Sequence, residues 1–222
     1  MSHFLLRKTT SPTLIGKYDT FLSLCITLII KHMKVIQANY SVTLREWQEE
    51  DVAAYAALVS DPEVMRYISG GKVRAYAKAQ AKIEFFSAEI ADRGWSRWAI
   101  AETQSNQFIG YVGFASHELG LDLGGRALQK YWGSVYTYIA FFLAIQAGFE
   151  RFGFEQFFTL THVKNWRAIR MNEKFLRIQN LQYPVVQTPY GPHLKIDYTR
   201  DRSQQVKDHN LAHLEKFYSR IA

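Results

Sequence analysis

One cysteine, Cys25, stands among 222 residues. No disulfide can form within the chain, and cysteine usage does not call for an oxidising compartment. Metal-ligand spacing is almost as scarce. Of the seven histidines, only His209 and His213 lie one helical turn apart, and with no third ligand nearby no metal site is expected. There is no repeat, no low-complexity segment and no dense Lys/Arg tract of the kind that marks a nucleic-acid surface. Charge is also missing from Tyr131 to Phe149, a run of nearly membrane-spanning length. Ser134, Thr137, Gln146 and Gly148 interrupt it, however, and strand-like segments flank it, so the expectation is a buried core helix.

Against these absences, 48% of the residues are hydrophobic and 15% aromatic, enough to bury a full core in one domain. The formal charge is +7, of which residues 1–40 carry +4 (Arg7, Lys8, Lys17, Lys31 and Lys34 against Asp19), leaving +3 for the rest. That leader contains Phe21 to Ile30, an apolar stretch too short to span a bilayer but long enough for a signal-peptide core. An anchor, an extra docked helix and translation from Met33 are all open readings of it.

Beyond the leader the periods are clearer. Ser41 to Trp47 alternates like a strand. Val52, Tyr55, Ala56 and Val59 follow at helical spacing until Asp61-Pro62, and Met65 to Ile68 suggests a further turn that Gly70-Gly71 breaks. Val73, Tyr76, Ala79, Ile83, Phe86 and Ile90 form a second inward stripe, closed by Gly94. Trp98 to Ala101 and Phe108 to Ala115 read as an antiparallel hairpin around TQSNQ. Leu181 to Gln187 and His193 to Thr199 read as a closing hairpin, and Val206, Leu211, Leu214, Phe217 and Ile221 give a C-terminal amphipathic helix.

The centre of the chain runs from Leu121 to Lys174. It reads as a strand with Gly124-Gly125 permitting a bulge or a close ligand approach, a loop holding Gly133, the apolar helix, an aromatic strand from Gln156 to Thr161, and a helix opened by Asn165. A strand, a glycine loop and a helix in succession form a usual phosphate site, because the first N–H groups of a helix are unpaired and lie at its positive end.

Four stretches in the right order resemble the GNAT superfamily of acyl-CoA-dependent N-acyltransferases: Thr43 to Ile68, FIGYVGF (Phe108 to Phe114), KYWGSVYT (Lys130 to Thr137) and NWRAIRMNEK (Asn165 to Lys174). The likeness is to the branch that includes the ribosomal-protein N-terminal acetyltransferases. It implies an α+β fold with a mixed, mostly antiparallel central sheet, helices on both faces and a splayed parallel strand pair, over residues 41–200. Residues 1–40 would then be an extension and 201–222 a terminal helix. It further implies acetyl-CoA as co-substrate, held by Leu123, Gly124, Gly125, Leu128, Lys130, Trp132, Gly133, Ser134, Val135, Tyr136, Thr137 and Asn165. A primary amine, on a peptide or a small molecule, would be the acceptor. A cytoplasmic protein, capable of forming a homodimer and without nucleic-acid or membrane partners, is the matching expectation.

The reaction so implied is direct attack of a neutral amine on a thioester, which needs a base because such amines are mostly protonated near neutrality. Asp122, then Glu118, then His117 are the candidates, with backbone N–H groups of Leu123 to Gly125 polarising the carbonyl. The acceptor channel would draw on Ser60 to Val73 and Tyr183 to His193, with Tyr67, Tyr183 and Tyr190 lining it. Three departures weaken the family pattern. Val135 stands where a small residue is usual, Ala168 and Asn172 stand where the family places a hydroxyl acid, and Leu176-Arg177 replaces Gly-Phe. An acyl-CoA-binding protein of reduced activity is therefore the alternative reading.

Overall fold

The computed structural model describes residues 35–39, 41–178 and 183–218. Expectations for the leader, including Phe21 to Ile30, and for Leu181 and Ile221 fall outside them. In chain order come β1 (Val35–Ala38), β2 (Val42–Arg45), α1 (Asp51–Ser60), α2 (Pro62–Met65), α3 (Tyr76–Arg93), β3 (Arg97–Glu102), β4 (Phe108–His117) and β5 (Gly120–Ala127). After β5 come α4 (Val135–Gln146), β6 (Gln156–His162), α5 (Trp166–Leu176), β7 (Val185–Thr188), β8 (Gly191–Thr199) and α6 (Arg200–Tyr218). The strands make one eight-stranded sheet in the order β1-β2-β3-β4-β5-β6-β8-β7. All neighbours are antiparallel except β5 and β6, whose parallel register consists of the single pair Asp122 and Phe158.

Strand alternation sends side chains to two separate cores. On one face Trp98, Ile100, Val112, Phe114 and Leu123 meet Ile139, Leu143 and Ala144 of α4, along with Phe157, Phe175 and Tyr198. On the other, Ala99, Phe108 and Tyr111 meet Tyr55, Leu58 and Val59 of α1, Met65 of α2, and Ala79, Ile83 and Phe86 of α3. The charge-free run is thus the buried helix it was expected to be, and no described helix is long and apolar enough to cross a membrane. At its end the helix widens into a π turn, Ala147–Arg151, where Gly148 lies so close to the sheet that a Cβ would sit 2.6 Å from the Phe114 ring.

Two expectations about local structure are corrected. Val73 and Tyr76 are 51% and 57% exposed, so the inward stripe of α3 begins only at Ala79. The helix starts at Tyr76, and the backbone before it is held by the Arg74 N–H to Val59 carbonyl bond instead of by side-chain burial. Gly124 and Gly125 form no bulge, since β4 and β5 pair without a register shift from Gly110–Ala127 to His117–Gly120.

A buried ion pair locks β2 under α1. The guanidinium of Arg45, 1% exposed, donates to both Asp51 carboxylate oxygens at 2.6 and 2.9 Å, and its Nε donates to Asn106 at 2.7 Å. The Gln48 N–H donates to the same carboxylate at 2.9 Å. Removing one partner leaves the other charge buried and unmatched. Asp51→Ala is therefore expected to lower the urea-unfolding free energy by about 3–5 kcal/mol. Glu63→Ala, which removes an exposed pair with Arg66, should change it by less than about 0.5 kcal/mol.

Candidate functional site

The single parallel pair between β5 and β6 fixes where the site is. From Asp122 and Phe158 the two strands diverge, so beyond them the facing edges lack the ladder bonds that a continuous sheet would supply. Both strands then run into helices at the same open end, β5 through a turn into α4 and β6 through a turn into α5. Two helix N-termini, each with unpaired N–H groups, flank one mouth.

The β5–α4 turn is shaped by residues expected to hold cofactor. Gly133 adopts φ +71° with nothing within 4 Å of a would-be Cβ, so it is there for its backbone angle, not for space. The Ser134 hydroxyl donates to the Tyr131 carbonyl at 2.5 Å, and the Thr137 hydroxyl lies 3.2 Å from that carbonyl and 3.1 Å from that of Ser134. The Trp132 indole N–H donates to the Ala127 carbonyl at 2.8 Å, which pins the turn to the end of β5. Leu128 is anchored by its N–H to Ile109, Tyr136 reaches Glu102 at 3.2 Å, and Lys130 stays exposed over the Tyr131 ring. Val135 is half-buried and packs against the α4-side core, which gives its branched side chain a place other than the mouth of the turn. On the opposite lip Asn165 caps α5 by accepting the Ala168 N–H at 3.3 Å.

A residue the sequence reading missed joins the two lips. The Arg167 guanidinium lies 5.2 Å from the ring centroids of both Trp132 and Trp166, and Arg170 lies 5.4 Å from Trp166. Neither has a carboxylate partner among the described residues. Cations at helix N-termini oppose the helix dipole, so their placement favours an anion there. The pattern was visible only as the i,i+3 pair Arg167 and Arg170.

Of the three acidic or basic candidates, only Asp122 sits at the point of divergence. Glu118 is exposed in the β4–β5 turn, and the His117 Nδ1 accepts the Leu119 N–H at 3.1 Å beside Phe158, both at the closed end of the strand pair. Asp122 Oδ2 accepts from Arg97 Nη2 at 2.5 Å, while Oδ1 has no partner among the described residues. Arg97 reaches it through a trench: it stands in register with Gly113, which pairs with Gly124, and its guanidinium also donates to the carbonyls of both glycines. A Cβ on Gly124 would lie 3.1 Å from that guanidinium, and one on Gly125 would lie 2.4 Å from the Tyr111 carbonyl. The glycine pair therefore admits Arg97 and close strand packing, a correction to the expected bulge. Leu123, between Asp122 and Gly124, is buried in the α4-side core.

The helix position where the family places a hydroxyl acid holds a buried amide. Asn172 accepts from Tyr198 at 2.7 Å and from Thr159 at 3.1 Å, and donates to the Ala168 carbonyl at 2.8 Å. Burial holds the Tyr198 phenol well above its ordinary value of 10, so that proton stays in the network.

On the opposite face the end of β6 carries His162. Its ring stacks on Tyr67 with centroids 5.3 Å apart and meets His193 edge-on at 5.2 Å. The Lys164 N–H donates to His162 Nδ1 at 3.1 Å, which leaves the neutral ring's proton on Nε2. A Cβ at Gly70 would lie 3.4 Å from the Tyr190 ring, which brings the Ser60–Val73 segment beside the β7–β8 hairpin. Tyr183 does not join them. It packs on the α4-side core near Glu173 and Arg202, and its phenol, raised first by burial, sits at about 12.

With this geometry in place, the comparisons are specific. The GNAT acetyltransferase domain model matches residues 41–175, more than half of the chain. The chain belongs to the GNAT acetyltransferase family. It is 22% identical over 131 residues to the N-acetyltransferase YoaA of Bacillus subtilis, covering 58% of this chain and 74% of that protein. A GNAT-family acetyltransferase of Bacillus anthracis superposes with a TM-score of 0.62 at 15% identity, over 75% of this chain and 99% of the other. An aminoglycoside acetyltransferase in complex with coenzyme A does so with a TM-score of 0.60 at 18% identity and the same coverages.

Burial, with smaller effects from His193 and Lys164, lowers the His162 pKa below 6.5. The folded protein then binds that proton less readily than the unfolded chain does. His162's contribution to stability is complete above pH 6.5 and is lost as pH falls through the folded midpoint. An NMR titration of the imidazole is expected to give a midpoint below 6.5, and one at or above it would contradict the desolvation of this ring.

Proposed function

We propose that this chain is an acetyl-CoA-dependent N-acetyltransferase that acts on a primary amine, with a protein N-terminus among the acceptors its motifs suggest. The observation that carries the reading is the strand pair joined only at Asp122 and Phe158, open between two helix N-termini. Acetyl-CoA, when bound, supplies an acyl group already activated as a thioester. The unpaired edge of β5 offers N–H and C=O groups to an extended amide-bearing arm, and N–H groups near Leu123 to Gly125 would polarise a carbonyl lying against them. The Gly133 turn, Lys130, Asn165 and Arg167 suit a diphosphate and a further phosphate at the mouth.

An alkylamine with a pKa near 10 is almost wholly protonated at pH 7. Asp122 Oδ1 is the group on the acceptor side that can take that proton. Arg97 holds the carboxylate in place through the other oxygen, as an orienting partner does in other acid–base pairs. Glu118 and His117, at the closed end, would act only through water. The acceptor would enter from the Tyr67, His162 and Tyr190 face, opposite α4.

One observation favours the second reading, an acyl-CoA-binding protein with little turnover. Asn172 is committed to Thr159, Tyr198 and Ala168, and neither it nor Ala168 can protonate a departing thiolate. Two measurements separate the readings. Calorimetry should give acetyl-CoA binding in both, weakened about tenfold by Arg167→Ala. Thiol release with an amine panel should be seen only with a transferase, and Asp122→Asn should lower kcat by about 10²–10³ while leaving acetyl-CoA affinity within about twofold. Binding without thiol release would select the second reading, and no binding would remove both.

A further inference from the structure

Over the face of the sheet that carries Asp122 stand three cations that form no ion pair among the described residues. Asp122, Gly124 and Arg126 alternate onto this face of β5, beneath α1, α2 and α3. The half-buried Arg126 guanidinium has as its contacts the Met65 thioether, 3.0 Å from Nη1, and the Tyr111 ring, 5.4 Å from its carbon. A guanidinium has five N–H donors, and sulfur is a weak acceptor for any of them. Lys82 of α3 lies over the Phe85 and Phe86 rings at 3.9 and 4.8 Å, and Arg74 is half-buried at the foot of that helix. None of the three pairs with a carboxylate among the described residues.

Their nearness shows electrostatically. Burial lowers the Lys82 pKa first, and Arg74, Arg97 and Arg126 then lower it further against the opposing pull of Glu89. Glu89 is itself committed to Arg93 and Ser96, at 2.6 and 2.5 Å. Beneath the cations Tyr55, Phe86 and Tyr111 form a floor with centroids 5.6 to 6.5 Å apart. Uncompensated cations converging on a partly desolvated, aromatic-floored site destabilise one another unless an anion joins them. Arg126 stands two residues beyond Gly124, roughly 7 Å along the strand. An attacking nitrogen seated at the Gly124 backbone would lie that far from an acid group at Arg126, a span a short molecule covers. Asp122 stands roughly 13 Å back from Arg126 along the strand and would reach the nitrogen with its side chain.

We propose that the acceptor is a primary amine bearing a carboxylate, whose acid end is bound by Arg126 with Arg74 and Lys82. The proposal rests on the transferase reading above and specifies its acceptor. A guanidinium fork matches a planar carboxylate, and the acceptor face carries the wrong charge for a polycationic aminoglycoside.

The test is calorimetric and uses the full chain, with and without saturating coenzyme A. The probes are 4-aminobutyrate, its neutral amide 4-aminobutanamide, and phosphoethanolamine. Carboxylate over amide by about tenfold or more is expected. Arg126→Met should abolish that preference and Arg126→Lys should restore part of it. Arg74→Met, at the helix foot, should reduce it in a variant whose strand is untouched. Equal binding of acid and amide, or a preference that survives Arg126→Met, would overturn the proposal, as would a phosphate preference that depends on Arg126. Thiol release from acetyl-CoA is read separately, so loss of the transferase reading would appear in that assay and not in the acid–amide comparison.

Discussion

The site depends on one guanidinium. Arg97 enters from β3, crosses β4 over Gly113 and ends on β5 at the Gly124 carbonyl and the Asp122 carboxylate. Two glycines in cross-strand register flank its path: a Cβ at Gly124 would meet the guanidinium itself, and one at Gly113 would meet the Ser96 carbonyl and the Arg97 backbone. The consequence is mechanical and electrostatic together. Three strands are bound to one another where the fourth, β6, separates from them, and the carboxylate at that point is held by one oxygen with the other left for a second task. A buried guanidinium is tolerated when its donors find acceptors, and the three that Arg97 finds, on Gly113, Gly124 and Asp122, tie it to the site.

Around that point the fold divides two kinds of chemistry between the faces of the sheet. The α4 side is apolar and tightly packed, from the charge-free helix to the stacked Phe157 and Tyr198 rings. It holds the ends of β5 and β6 at fixed positions, so the two helix N-termini face one mouth. The opposite side is built from α1, α2 and α3 with aromatic and cationic groups, and there Tyr67 stacks on His162 while Tyr190 lies beside Gly70.

Much of the fold was legible because its periods are strong. The two hairpins, the α1 stripe, the apolar helix and the Asn165 cap all follow from residue spacing, and the motif order carried the family. The errors share a cause. Gly124-Gly125 read as a bulge or ligand gap because a sequence does not show which strand lies opposite, and the occupant of the trench is a side chain 27 positions away. Val73 and Tyr76 fit the α3 period, but the helix does not begin until Tyr76, so nothing orients them inward. Tyr183 was grouped with Tyr67 and Tyr190 because it begins the Tyr183–His193 hairpin, but it packs on the α4-side core. Arg126, Arg74 and Lys82 look like ordinary surface cations until three elements bring them over the same rings.

That last convergence bears on why the mouth has cations on both sides. A thioester with its diphosphate tail and an acidic acceptor are both anions, and meeting across one strand they would repel. On the proposed reading, separate cationic groups, Arg167 and Arg170 toward the helix ends and Arg126, Arg74 and Lys82 on the α3 side, would neutralise each ligand near its own charged end. The proposed reacting centre would then lie between them, at Asp122, Arg97 and the β5 backbone, where the paired carboxylate and guanidinium carry little net charge. The same layout makes each side unfavourable when empty, so binding of either anion relieves repulsion that the fold alone leaves in place.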